Sequence, residues 1–195
     1  MIIGITGGTG SGKTTLLAVI RELGGTVLDC DAIYHQLLES DPALLDAIAQ
    51  RFPGTVEQGM LQRKKLGSIV FSDKEALNDL NRITHSAVKA EVIRRLQSAA
   101  PLAAIDAIGL FESGLDELCQ LTIAVTAPEA LRVERLMRRD GISRDYAAAR
   151  IAAQPSQEEF SRLCDHTLIN DSSPEAFREK CLAFFAQMGI IKEKS

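Results

Sequence analysis

The stretch Gly7-Gly8-Thr9-Gly10-Ser11-Gly12-Lys13-Thr14 sets glycines, one ammonium and several hydroxyls directly after the apolar run IIGIT at residues 2–6. It satisfies G-x-x-x-x-G-K-[ST] at every fixed position. Glycines permit the left-handed dihedrals that turn successive backbone N–H groups toward one anion. The Lys13 ammonium suits the β- and γ-phosphate oxygens of a nucleotide, and the Thr14 hydroxyl suits a phosphate-bound Mg²⁺. A helix starting there aims its positive end at the same phosphates. The candidate nucleotide-binding set is therefore Gly8, Thr9, Gly10, Ser11, Gly12, Lys13, Thr14 and Thr15, with Thr14 the candidate metal ligand. The motif alone does not separate a kinase from a switch GTPase or a mechanical ATPase.

Other acidic and basic residues narrow that choice. VLDCDAIYH at residues 27–35 ends an apolar run with Asp29 and Asp31. In an open α/β sheet the C-terminal strand ends face the ligand crevice. A carboxylate there can accept a proton from a hydroxyl attacking a γ-phosphate. The alternative is that one of the two aspartates caps a helix starting near Ala32. Asp106 lies within the apolar run LAAIDAI, with Glu112 just beyond it. An embedded acid needs a partner, and Lys13 or a metal-bound water would serve; a hydrogen-bonded acid with no metal is the other reading. From Arg132 to Arg150 there are six arginines against three acids, a local net of +3 in a chain of net charge −4. RRDGISR breaks the helical pattern at Gly141 and reads as a loop between two helices. Such a flap can close over ATP and neutralise developing phosphoryl charge, with Arg135 and Arg139 the favoured residues. Its alternative is a solvated face with i,i+4 pairs such as Glu134 with Arg138.

The elements that must position these groups are legible in outline. Runs at residues 2–6, 26–30, 102–108, 121–127 and 166–171 read as strands, separated by helical stretches. Near-continuous apolar strands alternating with helices predict a parallel sheet covered on both faces. A helix follows the glycine-rich loop over residues 14–23. Asp41-Pro42 and Ser173-Pro174 mark helix starts, the latter running to about Met188, with GIIKEKS as a terminal tail. Ser72 with Glu75, Thr126 with Glu129 and Ser156 with Glu159 have capping-box spacing. Between Cys30 and Leu102 no convincing strand is found. Leu77, Leu80, Ile83, Val88, Val92 and Leu96 instead predict one long helix in a helical insertion.

Bulk composition sets outer limits. The 195 residues are 46% hydrophobic and 25% charged, which suits one globular domain. The acidic balance argues against a nucleic-acid partner. No apolar run approaches the ~18 residues of a membrane helix. The four cysteines form no C-x-x-C pair, so they read as free thiols in a cytoplasmic protein.

Taken together, the motifs resemble the dephospho-CoA kinases, which phosphorylate a ribose 3′-hydroxyl in the last step of coenzyme A synthesis. GITGGTGSGKTT looks like that family's opening, and VLDCDAIYHQLL is similar to its D-A-D-x-I-x-[HR] segment. LQRKKLGSIVFSD, LNRITHSAV, IDAIGLFES, RLMRRDGIS, RIAAQ and CDHTLIND resemble further family motifs. Cys30, Ser86 and residues 107–109 depart from the pattern. The resemblance implies a P-loop NTPase-type, doubly wound parallel sheet of five strands. It adds a helical CoA-substrate-binding insertion at 32–100 and an arginine-rich lid at 138–150. It implies ATP and Mg²⁺ as cofactors and 3′-dephospho-CoA as the substrate; a monomer or weak homo-oligomer is the expected assembly. Asp31 matches the family's base, with Lys13 and Arg139 completing the catalytic set. Asp29, Asp31, His35, Phe71, His85, Asp106 and Phe111 would face the substrate. Gln154, Asp165 and Asn170 fall in the closing motifs. A different small-molecule kinase, for nucleoside monophosphates or a sugar acid, is the nearest alternative. A regulatory nucleotide-binding module is the more distant one; the N-K-x-D signature common in guanine-binding switches is absent.

Overall fold

A computed structural model describes residues 1–191. The last four residues of the terminal tail lie outside the described residues. Five parallel strands form the sheet: β1 (Ile2–Thr6), β2 (Thr26–Asp29), β5 (Ala103–Asp106), β6 (Leu121–Thr126) and β7 (His166–Ile169). Their order is β2-β5-β1-β6-β7, so β1 is central and two strands run on each side of it. The doubly wound α/β class is as expected, and each predicted strand has its counterpart. In β2, Cys30 has already entered the following helix.

The strands are apolar throughout because helices cover both faces. Successive strand residues point to opposite sides, and the core divides accordingly. Ile3, Ile5, Ala104, Ile123 and Val125 pack against α1 (Lys13–Glu22) and α9 (Pro174–Gln187), where Phe177, Cys181 and Phe185 are fully buried. Leu28 and Ile105 face the other way, against Ile33 of α2 (Cys30–Ser40) and Val88 and Val92 of α5 (Lys74–Leu96). Gly4 lies on that second side, where an added Cβ would come within 2.8 Å of the Leu110 side chain.

The predicted long helix is α5, 23 residues from Lys74 to Leu96. With α2, α3 (Pro42–Arg51) and α4 (Arg63–Val70) it encloses a satellite core around Leu44, Ile48, Phe52 and Leu66. The interval is not free of strands: a two-stranded antiparallel hairpin, β3 (Val56–Glu57) with β4 (Met60–Leu61), joins α3 to α4. Its short length leaves no periodic signal. Beyond β6, α6 (Glu129–Asp140) and α7 (Arg144–Ala152) meet at Gly141, whose φ of 66° ends α6. They share a small core of Val133, Leu136, Ala147 and Ile151. A short α8 (Gln157–Leu163) follows, opened by the predicted Ser156–Glu159 capping box.

Two other capping expectations fail. Asp73, not Ser72, caps α5 through its Oδ1, while the Ser72 hydroxyl donates back to Ser68 O and Ile69 O. Thr126 ends β6, and Pro128 precedes α6. All four cysteines are free, and burial pushes Cys30 and Cys119 up to about 12. No helix among the described residues is long and apolar enough to cross a membrane.

Phe177 is 0% exposed in the main core and Phe71 is 92% exposed. Phe177→Ala should therefore cost about 3–5 kcal/mol of unfolding free energy in urea titration, whereas Phe71→Ala should stay within about 0.5 kcal/mol of wild type.

Candidate active site

The loop between β1 and α1 has backbone geometry that the sequence dictates. Gly7, Gly10 and Gly12 have φ values of 141°, 76° and 92°, outside the range an ordinary side chain adopts readily. Close packing forbids a side chain there as well. A Cβ on Gly7 would stand 2.2 Å from Val125 O, and one on Gly12 would stand 2.0 Å from Asn170 Nδ2.

Behind the loop its outward carbonyls are met by fixed donors. Arg132 Nε donates to Thr9 O at 2.9 Å, and Asn170 Nδ2 donates to Ser11 O at 2.8 Å. Arg135 Nη1 reaches Gly10 O at 3.3 Å, and its Nη2 donates to Asn170 Oδ1 at 3.0 Å. Gln154 Oε1 accepts from Thr9 N at 2.7 Å. Arg132 and Asn170 are each only 3% exposed. Arg132 stands in no motif of its own. Its one signal is its position three residues before Arg135, on the same face of α6. Asp165 acts further away, accepting from Thr122 N and Oγ1 and so tying the start of β7 to β6.

In front of the loop lies a cleft of about 690 Å³, lined by Gly8 to Thr14 and closed by Arg135, Arg138, Arg139, Arg150 and Gln154. Lys13 Nζ donates to Gly7 O at 2.9 Å and stands 3.9 Å from Asp106 Oδ1. That separation is beyond hydrogen-bond reach. Asp106 Oδ1 and Ser11 Oγ are buried with no hydrogen-bond partner. Burial pushes the Asp106 carboxyl up to about 6; Lys13 opposes this, and the Asp29 and Asp31 charges add to it. Thr15 is the one member of the predicted nucleotide set outside the lining; it is part of α1, its N–H bonded to Gly12 O.

A second pocket of about 230 Å³ adjoins the cleft. Cys30, Tyr34, Thr84, His85, Val88, Gly109 and Ser113 are among its walls. Asp31 and Ile108 line both spaces. The two aspartates divide their roles. Asp29 accepts from Ala32 N at 2.9 Å and caps α2. Asp31 is therefore not at a strand end, as expected, but in the first turn of α2, exposed and facing the junction. Of the other predicted substrate residues, His85 and Asp106 line the pocket and the cleft respectively. His35 is exposed, its ring 5.7 Å from that of Tyr34, and lines neither space. Phe71, at the end of α4, and Phe111, packed partly buried against the core under β5, also lie outside both linings. Glu134 makes no ion pair with Arg138 among the described residues; Arg138 faces the cleft instead.

A glycine-rich loop at a helix start, an arginine-lined cleft and an adjacent pocket sharing one carboxylate are an arrangement that a phosphotransferase could use. Comparison with known proteins decides which kind. The family model for dephospho-CoA kinase matches residues 1–175. The chain belongs to the dephospho-CoA kinase family. Within it, the dephospho-CoA kinase of Anaeromyxobacter dehalogenans is 38% identical over 193 residues, covering 96% of this chain and 92% of that protein. Among solved structures, a Thermus thermophilus protein superposes with a TM-score of 0.80 at 36% identity, covering 96% of this chain and 97% of that one. The dephospho-CoA kinase of Campylobacter jejuni gives a TM-score of 0.68 at 27% identity, with 97% and 98% covered. Dephospho-CoA kinases are transferases.

The raised Asp106 carboxyl has a consequence for stability. Its folded pKa, about 6, exceeds the ordinary 3.8, so the folded protein binds more protons than the unfolded chain between those values. The ionised acid therefore destabilises the fold, increasingly as pH rises through that window and fully above it. Asp106→Asn should stabilise the ligand-free protein at pH 7.5 by about 2–3 kcal/mol, with the gain gone below about pH 4. Thermal melts of both proteins across pH check this.

Proposed function

We propose that the chain transfers the γ-phosphoryl group of ATP to the ribose 3′-hydroxyl of dephospho-CoA, giving coenzyme A and ADP. The observation that carries this reading is the position of Asp31, which lines both the phosphate cleft and the adjoining pocket. An alcohol held in the pocket meets that carboxylate and the phosphate cradle at the same point.

The loop's N–H groups, apart from those of Thr9 and Ser11, which bond Gln154 Oε1 and Gly8 O, bind and orient the triphosphate together with Lys13. The donor set also fits Mg²⁺: an exposed Thr14 hydroxyl at the start of α1, and a buried Asp106 oxygen with no hydrogen-bond partner on the cleft wall. Thr14 would hold the ion directly and Asp106 through its water. When bound, Mg²⁺ supplies charge neutralisation to the phosphate oxygens. Asp31 orients the 3′-hydroxyl and accepts its proton as the oxygen attacks phosphorus. The new O–P bond forms as the bond from the γ-phosphorus to the bridging oxygen breaks, and that oxygen leaves on ADP. Arg139, with Arg138 and Arg150, bears on the phosphates from the flap side, excludes water and offsets charge on the transferring group.

The acceptor lies in the smaller pocket, over the helical insertion. Its floor is apolar, with Cys30, Val88 and Leu115, and Asn81, Thr84, His85 and Ser113 supply polar contacts at its walls. A second groove continues outward from it through Asn81, His85 and Ser113 to Arg82 and Lys89. Arg82 and Lys89 are paired there with Asp79 and Glu117, and the groove suits the substrate's pantetheine arm.

ADP release coupled to a dehydrogenase assay, with and without dephospho-CoA, tests the reading. Strong stimulation by dephospho-CoA is the expected outcome. Transfer to a nucleoside monophosphate or a sugar acid instead, or nucleotide hydrolysis with no acceptor phosphorylated, would replace it. Asp31→Asn should lower kcat by about 10²–10⁴-fold with the melting temperature unchanged, and Lys13→Ala should lower it by about 10²-fold or more. Near-normal turnover in Asp31→Asn would remove that residue as the proton acceptor.

A further inference from the structure

The phosphate cleft is crowded with cations. Lys13, Arg135, Arg138, Arg139 and Arg150 line it, against only the carboxylates of Asp31 and Asp106. Left to themselves, flexible guanidiniums of like charge spread apart. Two of them do not. Arg139 Nε donates to Asp140 Oδ1 at 2.7 Å and its Nη2 to Oδ2 at 3.0 Å. Arg150 Nη1 donates to the same Oδ2 at 2.7 Å. Arg139 belongs to α6 and Arg150 to α7, on either side of Gly141. Asp140 itself is absent from the cleft lining.

One carboxylate thus ties together cations from both arms of the flap. The forked bond to Arg139 fixes the plane of that guanidinium as well as its position. Each guanidinium carries five N–H donors, so Arg139 keeps Nη1 free, and Arg150 keeps Nε and Nη2. We propose that Asp140 is a positioning residue: it holds Arg139 and Arg150 side by side so that their remaining N–H groups converge on the phosphates of one nucleoside triphosphate. It touches no reacting atom. Exposed ion pairs of this kind contribute little to stability, and Arg139 and Arg150 are 60% and 40% exposed. The arrangement acts on ligand geometry rather than on the fold. The inference rests on the kinase reading only for the identity of the anion.

The test uses the whole protein and two readouts, titration with a fluorescent ATP analogue without acceptor, and coupled ADP release with dephospho-CoA. Asp140→Asn keeps the size of the side chain and removes its charge. It should weaken nucleotide affinity and lower kcat/KM for ATP by about tenfold, with the KM for dephospho-CoA and the melting temperature unchanged. Asp140→Glu, which keeps the charge, should recover part of the loss. In an Arg150→Ala background, adding Asp140→Asn should cost less than it does in the wild type. Unchanged nucleotide affinity in Asp140→Asn, or fully additive losses in the double variant, would overturn the proposal. If the wild type binds nucleotide yet does not phosphorylate dephospho-CoA, the functional reading fails alone, and the titration still decides the role of Asp140.

Discussion

A loop that turns its amide N–H groups toward an anion must turn its carbonyls the other way. Those carbonyls lie in the protein, and buried carbonyls need donors. Much of the molecule follows from that requirement. Thr9, Gly10 and Ser11 present their carbonyls to Arg132, Arg135 and Asn170. These donors approach so closely that Gly8, Gly10 and Gly12 have no room for side chains; a Cβ on Gly8 would meet Arg132 Nη2 at 2.3 Å. The glycines are therefore needed for packing as much as for dihedral freedom. The same bonds set the rotation of α6. With residues 132 and 135 committed to the loop, the helical period brings 138 and 139 to the mouth of the cleft.

Charge is arranged around the cradle in a matching way. Cations face the cleft from the loop and from the flap, while Asp106 sits on the wall with burial working against its ionised form. The ligand-free protein holds there an acid it would be more stable without. That conflict sits at the last residue of β5, on the wall of the cleft.

The sheet and the phosphate loop were legible because both rest on local chemistry. Apolar runs between turn residues mark strands, and G-x-x-x-x-G-K-T is contiguous. Asp31 was legible as a candidate, but its setting was not: Asp29 takes the helix cap, so the chain enters α2 one residue sooner than the apolar run implies. The capping-box pattern at Ser72 misled because Asp73 is the stronger acceptor one residue along. Arg132 was hidden among five other arginines, since burial depends on tertiary contact rather than spacing. The pocket beside Asp31 was legible only at Asp31 itself and at His85. Its walls come from Tyr34, from Asn81 to Val88, from Ala107 to Gly109 and from Ser113, segments brought together only by the packing of α2 on α5. His35, Phe71 and Phe111, suggested by likeness of motif, lie outside the linings of both spaces.

The two sides of the crevice are secured unequally. Cys30, Val88, Ala107 and Leu115, beneath the smaller pocket, belong to the hydrophobic cluster that includes Leu28 and Ile105 of the sheet. By contrast, α7 rests on α6 through Ala147 and Ile151 against Val133 and Leu136, a cluster of its own. Detaching α7 exposes only a handful of apolar groups, whereas disturbing the pocket floor breaches the sheet's own core. Local opening free energies follow such differences. The arm beyond Gly141 is thus the less deeply anchored wall of the crevice, tied to α6 by that small cluster and by the Asp140–Arg150 pair.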